Sequence, residues 1–263
     1  YMIEASKLEG RTLVFLKPCD TYSFNQLIKE HRVDREKAYI IGVGCKGTLK
    51  PEKIREAGIK GIERVAVDGD TLKFETIYGE KELPFADALL ERCKVCKGKK
   101  HMVYDELIGA AEDEEAGPVG NRLEKLEAMS PEERFHFWQE QLSKCIRCNA
   151  CRNVCPACSC RKCVFDSSQY DSNQKANADT FEEQMFHIIR AFHVAGRCTD
   201  CGECSRVCPQ GIPLHLLNRK FIKDIDTFYG EYQAGADTDS RGPLTDFTFD
   251  DVEPGIVQTR GGH

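Results

Sequence analysis

CIRCNACRNVCP, from Cys145 to Pro156, and CTDCGECSRVCP, from Cys198 to Pro209, carry one pattern twice: C-x2-C-x2-C-x3-C-P. Cysteines at i, i+3 and i+6 on a tightly wound loop can offer thiolates to three corners of one four-iron, four-sulfur cube. The loop's amide N–H groups then face the sulfurs and offset their charge. The fourth cysteine is carried off by the chain, which the proline turns away. Structural zinc asks for four ligands as two separated pairs, which explains neither the third cysteine nor the proline. The chain has 15 cysteines in 263 residues, in tight groups with long cysteine-free stretches between them. Disulfide scaffolds are short secreted chains, so this grouping points to metal.

The same run occurs in bacterial ferredoxins, where in two-cluster forms the fourth cysteine ligates the other cube. That gives Cys145, Cys148, Cys151 and Cys208 to one [4Fe–4S] cluster, and Cys198, Cys201, Cys204 and Cys155 to a second. CPACSCRKC adds Cys158, Cys160 and Cys163 directly after the first run. Three cysteines are one short of a cubane set. They read as structural thiols beside the cluster or as an extra metal site with a borrowed ligand, and they leave a shifted ligand choice at Cys155 open. Arg147, Arg152, Arg197 and Arg206 flank ligands, where positive charge raises a potential; solvated surface is the alternative. His187 and His193, six apart on a predicted helix, do not share a face and read as surface or core histidines.

Cys19, Cys45, Cys93 and Cys96 have no motif among themselves. Cys19 and Cys45 each follow a predicted strand, and loops at strand ends of an α/β sheet converge on ligand sites. A metal site is one reading; a redox disulfide at Cys93–Cys96 is the other.

The elements that position these residues fall into two groups. In residues 1–111, TLVFL (12–16) and AYIIGVG (38–44) read as buried strands and SFNQLIKEH (23–31) as a helix. PEKIREAG (51–58) has Pro at the start and Gly at the end of a helix. IERVAVDGDTLKFETI (62–77) reads as a hairpin around DGD, and LPFADALLERC (83–93) as a helix delivering Cys93. EDEEAGPVG (112–120) reads as a linker. Residues 121–228 are read as all-α. Each cluster run follows a capped helix, with Ser130 and Glu133 before the first and Thr180 and Glu183 before the second, Gly196 ending the latter. This suggests an internal duplication, and LHLLNRKFIKDI (214–225) adds a third helix. Residues 229–263, polar and Gly-rich, read as an extended C-terminal arm on a partner surface or a loose tail.

A net charge of −6 disfavours nucleic acid as a partner. No apolar run approaches the ~20 residues of a transmembrane span, and YMIEASKLEG lacks a signal-peptide layout. A cytoplasmic chain is expected, with residues upstream of Tyr1 left open.

Residues 130–228 resemble the helical dicluster ferredoxin domain of heterodisulfide reductase and succinate dehydrogenase iron–sulfur subunits. KPCD (17–20), IGVGC (41–45) and CKVCKGKKHMVYDELIG (93–109) are similar to the beta subunits of coenzyme F420-reducing hydrogenase and F420-linked formate dehydrogenase. The resemblance implies that Cys19, Cys45, Cys93 and Cys96 bind a third [4Fe–4S] cluster, beside FAD. The part of that family that helps form the flavin site has no counterpart here. No G-x-G-x-x-G follows a strand, and GVGCKG (42–47) spends its middle on Cys45. This chain alone therefore gives FAD no support. The expectation is an electron-transfer subunit with three [4Fe–4S] clusters. It would link a flavin or catalytic subunit to another redox centre in an anaerobic oxidoreductase complex. A FAD-containing subunit that itself reacts with F420 or NAD(P)H is the alternative. No His–carboxylate or Ser–His constellation marks a catalytic residue.

Overall fold

Leu16 ends the first apolar run and Pro18 opens a helix at once, so Cys19 lies in a helical first turn at the end of a strand. The computed structural model describes residues 2–96, 100–109, 122–166 and 180–245. A short helix α1 (Met2–Ala5) precedes β1 (Thr12–Leu16), α2 (Pro18–Lys29) and β2 (Ala38–Val43). β1 and β2 run parallel, from Thr12 opposite Ala38 to Leu16 opposite Gly42. Parallel neighbours need a crossover, and α2 supplies it. Its Phe24 and Leu27 are buried with Val33, Ala38 and Ile40. The helix starts ahead of the predicted stretch because Pro18 suits its first position, and Asp20 accepts from the Lys17 amide at 3.3 Å.

α3 (Pro51–Glu56) leads into an antiparallel meander of β3 (Ile62–Asp68), β4 (Thr71–Thr76) and β5 (Gly79–Pro84), followed by α4 (Phe85–Ala88). Ile54, Ile59, Leu72, Phe74 and Ala88 form its core. The predicted hairpin is present at DGD. The helix predicted over 83–93 is not: Leu83 and Pro84 end β5, four residues coil as α4, and Leu89 turns extended to bridge Leu49. The Leu90 amide donates to the Thr48 carbonyl at 2.9 Å, and the Ala88 carbonyl accepts from Lys50 at 2.7 Å. Those bonds replace the ones a helix would make. β6 (Glu106–Ile108) was not anticipated, since three exposed residues carry no period to read. It joins β2 in parallel to give the order β1–β2–β6. Gly42 permits this pairing, because a Cβ there would lie 2.5 Å from Leu107 Cδ2.

The remaining described elements are helices: α5 (Arg122–Glu127), α6 (Pro131–Ser143), α7 (Ala150–Asn153), α8 (Thr180–His193), α9 (Glu203–Arg206) and α10 (His215–Tyr229). α6 has the expected capping box, with Glu133 N–H on Ser130 Oγ at 3.2 Å and Ser130 N–H on Glu133 Oε2 at 2.8 Å. α8 begins at Thr180 itself, and Glu183 is buried facing Arg147. Leu142, Cys151, Phe165, Phe186, Cys204, Ile212 and Leu214 form the helical core. The 112–120 stretch lies outside the described residues.

The two parts meet largely along α2. Glu30 accepts from Arg197 Nε at 2.6 Å and Nη2 at 2.5 Å, and from Ser159 Oγ at 3.1 Å. Ser23 and Thr199 share a hydroxyl hydrogen bond of 2.9 Å. The start of the C-terminal arm also packs here, on α2. Lys29 bonds Ser240 at 2.9 Å and lies over the Tyr232 ring, and Gly235 passes so close that a Cβ would fall 1.9 Å from the Tyr22 carbonyl oxygen. Residues beyond 245 are outside the described set.

Candidate metal centres

Cys145 follows α6 directly, and its amide still donates to the Leu142 carbonyl at 3.0 Å. Arg147 and Asn149 then take φ of +51° and +58°, and Cys151 falls inside α7. In the second run Asp200 and Gly202 take +59° and +65°, and Cys204 falls inside α9. Left-handed residues are uncommon without glycine, and here they recur at equal offsets. The winding aims amides at sulfur. Arg147 N–H points to Cys145 Sγ at 3.4 Å, and the amides of Asp200, Glu203 and Ser205 donate to the sulfurs of Cys198, Cys201 and Cys204. The repeated backbone is the duplication suggested by the sequence.

Cys145, Cys148, Cys151 and Cys208 ring one hollow, walled by Ile146, Phe186, Ile212 and Leu214. Cys198, Cys201, Cys204 and Cys155 ring a second, with Pro156, Ala157 and Asn218. The fourth cysteine of each run thus sits with the first three of the other. Among the described residues no three His, Cys, Asp or Glu side chains converge on one point. The sulfurs are held apart around a space instead. Burial pushes the thiols of Cys145 and Cys201 up to about 12 and that of Cys204 to about 11. A thiol ligates only as thiolate. These hollows therefore suit a group that brings its own positive charge, as an iron–sulfur core does.

The inner face of α8, where Glu183, Phe186, His187 and Arg190 are all buried, packs against these runs: Phe186 and His187 line the first hollow, and Phe186 shares a core with Cys151 and Cys204. Spacings of three, four and seven at 3.6 residues per turn put them on one stripe. Glu183 faces Arg147 across 3.6 Å, and Arg147 stacks with Cζ 4.1 Å from the Phe186 ring centre. Among the described residues neither ring nitrogen of His187 has a hydrogen-bond partner, and burial, with Arg190 and Arg147 nearby, holds its pKa down at about 3. Nε and both Nη atoms of Arg190 are likewise unmatched. Sequence reasoning passed over Arg190 and read His187 as unremarkable. Their spacing of four and seven from Glu183, on the stripe that also holds Phe186, was the available signal.

Cys19 in α2, Cys45 beyond β2, and Cys93 and Cys96 beyond Leu90 ring a third hollow with Lys17, Lys46 and Arg92. The ends of β1 and β2 bring the first two there. The Thr48 amide donates to Cys93 Sγ at 3.3 Å, and burial pushes the Cys19 thiol up to about 12. Gly47, at φ +121°, would put a Cβ 2.6 Å from Leu89 and 3.5 Å from the Cys93 Cβ. GVGCKG is thus a close backbone approach to the cysteines. The far wall of this hollow is Thr199, Asp200 and Cys201, which also line the second hollow. Arg92 joins the two, donating to the Cys201 carbonyl and pairing with Glu203.

The three extra cysteines part company. Cys160 is exposed, Cys163 packs on the helical core, and the Cys158 amide donates to the Cys155 carbonyl at 3.1 Å. The thiol of Cys158 hydrogen-bonds Cys155, which lowers the pKa of Cys155. Of the flanking arginines only Arg147 is buried. Arg152 pairs with Asp166 at 2.5 Å, Arg197 with Glu30, and Arg206 with Glu203 at 2.6 Å.

Residues 141–212 match the family model described as a 4Fe-4S dicluster domain. The F420-dependent formate dehydrogenase subunit beta of Methanocaldococcus jannaschii is 23% identical over 270 residues, covering 80% of this chain and 70% of that protein. The F420-dependent formate dehydrogenase 1 subunit beta of Methanococcus maripaludis is 24% identical over 298 residues, covering 88% and 75%. The chain is an iron–sulfur protein similar to formate dehydrogenase beta subunits.

Proposed function

We propose that this chain is the electron-transfer subunit of a formate dehydrogenase-like complex and holds three [4Fe–4S] clusters in a row. Cys145, Cys148, Cys151 and Cys208 hold one end. Cys198, Cys201, Cys204 and Cys155 hold the middle, and Cys19, Cys45, Cys93 and Cys96 the other end. The clusters supply one-electron chemistry. The protein supplies order: Cys201 and its two neighbours wall both the first-domain hollow and the middle one, and this shared wall carries the reading. Arg92 fixes the two walls together across 109 residues of sequence.

The relatives are beta subunits of formate dehydrogenases, which supports a partner subunit here. So does the β1–β2–β6 sheet. Parallel sheets are normally covered on both faces, yet Leu13, Phe15 and Ile108 lie exposed away from α2. We assign no flavin to this chain, because GVGCKG is taken up by Cys45 and the packing at Gly47. Among the described residues no helix is long and apolar enough to cross a membrane.

The order of the row is tested by removing its middle. The fully reduced wild-type protein is expected to show an electron paramagnetic resonance (EPR) spectrum of interacting spins. In Cys198→Ser/Cys201→Ser the spectrum should simplify to two isolated signals. A spectrum that stays coupled would place the end sites side by side and defeat the order.

A further inference from the structure

Arg190 is 2% exposed, and among the described residues its guanidinium has no hydrogen-bond partner. A buried cation without a counter-ion is among the costliest arrangements in a protein. The buried carboxylate on the same face, Glu183, faces Arg147 instead. The charges that act on Arg190 are thiols: Cys204 and Cys155 from the middle set, Cys151 from the end set, and Cys158. One turn before it Phe186 and His187 line the end hollow, and Phe186 packs in one core with Cys151 and Cys204, so the guanidinium fork can address both sets.

We propose that Arg190 is the shared counter-charge of the two dicluster sites, a positioning residue that raises the reduction potentials of both clusters together. This rests on reading the two cysteine sets as cluster ligands. Each reduction adds one electron and breaks no bond. The added negative charge is stabilised by a fixed cation buried away from water, where Coulomb interactions are strong. One arginine serves two clusters because thiols of both sets act on it.

The test uses the full protein purified anaerobically, with Arg190→Met and Arg190→Lys, iron and sulfide analysis, and EPR-monitored titration against dithionite. Arg190→Met should keep its iron and lower both dicluster potentials. At fixed ambient potential the reduced-to-oxidised ratio of each should fall about tenfold, which is about 59 mV for one electron. Arg190→Lys should recover most of that shift. Unchanged potentials, a shift in one cluster alone, or equal falls in both variants would overturn the proposal. If Arg190→Met loses iron, Arg190→Lys decides: retained iron at near wild-type potentials supports a charge role, and lost iron overturns it. Cys151→Ala and Cys204→Ala are the controls. If neither lowers iron content, the ligand reading has failed, whatever Arg190 does.

Discussion

Arg147 sits two residues past Cys145 with φ +51°, 5% exposed, facing Glu183 at 3.6 Å. Removing one member of a buried pair strands the other, at a cost of about 3–5 kcal/mol. Arg147→Met should therefore lower the midpoint of anaerobic guanidinium unfolding, and adding Glu183→Gln should recover much of the loss. Two losses that simply add would show the pair is not coupled. The sequence marked Arg147 because it interrupts a cysteine run. It gave Arg190 only a place on the stripe of Glu183, Phe186 and His187, a weak cue because an arginine on a helix ordinarily belongs to a solvated face. The burial of that whole stripe is what the structure adds.

Between elements, the bond of Glu30 to Arg197 ties α2 to the start of the second cysteine run. Burial alone would raise the Glu30 carboxyl, but hydrogen bonds from Arg197, Gln26 and Ser159 take it below 4.5. A carboxyl lower in the folded than in the unfolded state stabilises above its unfolded value, and that contribution is lost as pH falls through the folded value. Glu30→Gln should weaken α2 protection in hydrogen exchange by about 1–2 kcal/mol at pH 7, for a half-exposed charged bond. The difference from wild type should shrink toward pH 4. No difference at pH 7 would mean the tie is idle. Gly235→Ala tests the arm: its Cβ cannot fit beside the Tyr22 carbonyl, so residues 230–245 should lose exchange protection while α8 and α10 keep theirs. Unchanged protection of that segment would contradict the packing. Elements with strong local signals were legible: β1, β2, α3 and the box of α6. The 83–93 stretch looked helical because its apolar residues recur at helical spacing, but its backbone bonds go to Thr48 and Lys50. That the fourth cysteine of each run would sit with the first three of the other was legible from the likeness to two-cluster ferredoxins, and the hollows group them so. The adjacency of the first-domain set to Cys201 was not, since it depends on how two parts meet.

For the whole molecule, three cysteine-ringed hollows and a parallel sheet whose outer face is exposed among the described residues support the proposed wire attached to a partner. Phe15→Lys puts a charge on the uncovered face without touching α2. It should release the partner subunit on native mass measurement while iron content stays unchanged. An intact complex would remove that face from the interface. The number of clusters on this chain is tested by counting iron, sulfide and flavin on protein purified without oxygen. About twelve irons and twelve sulfides per chain are expected, for three [4Fe–4S] clusters, with no flavin. About eight irons would leave Cys19, Cys45, Cys93 and Cys96 without a cluster, and stoichiometric flavin would make the chain a flavoprotein; either would contradict that expectation.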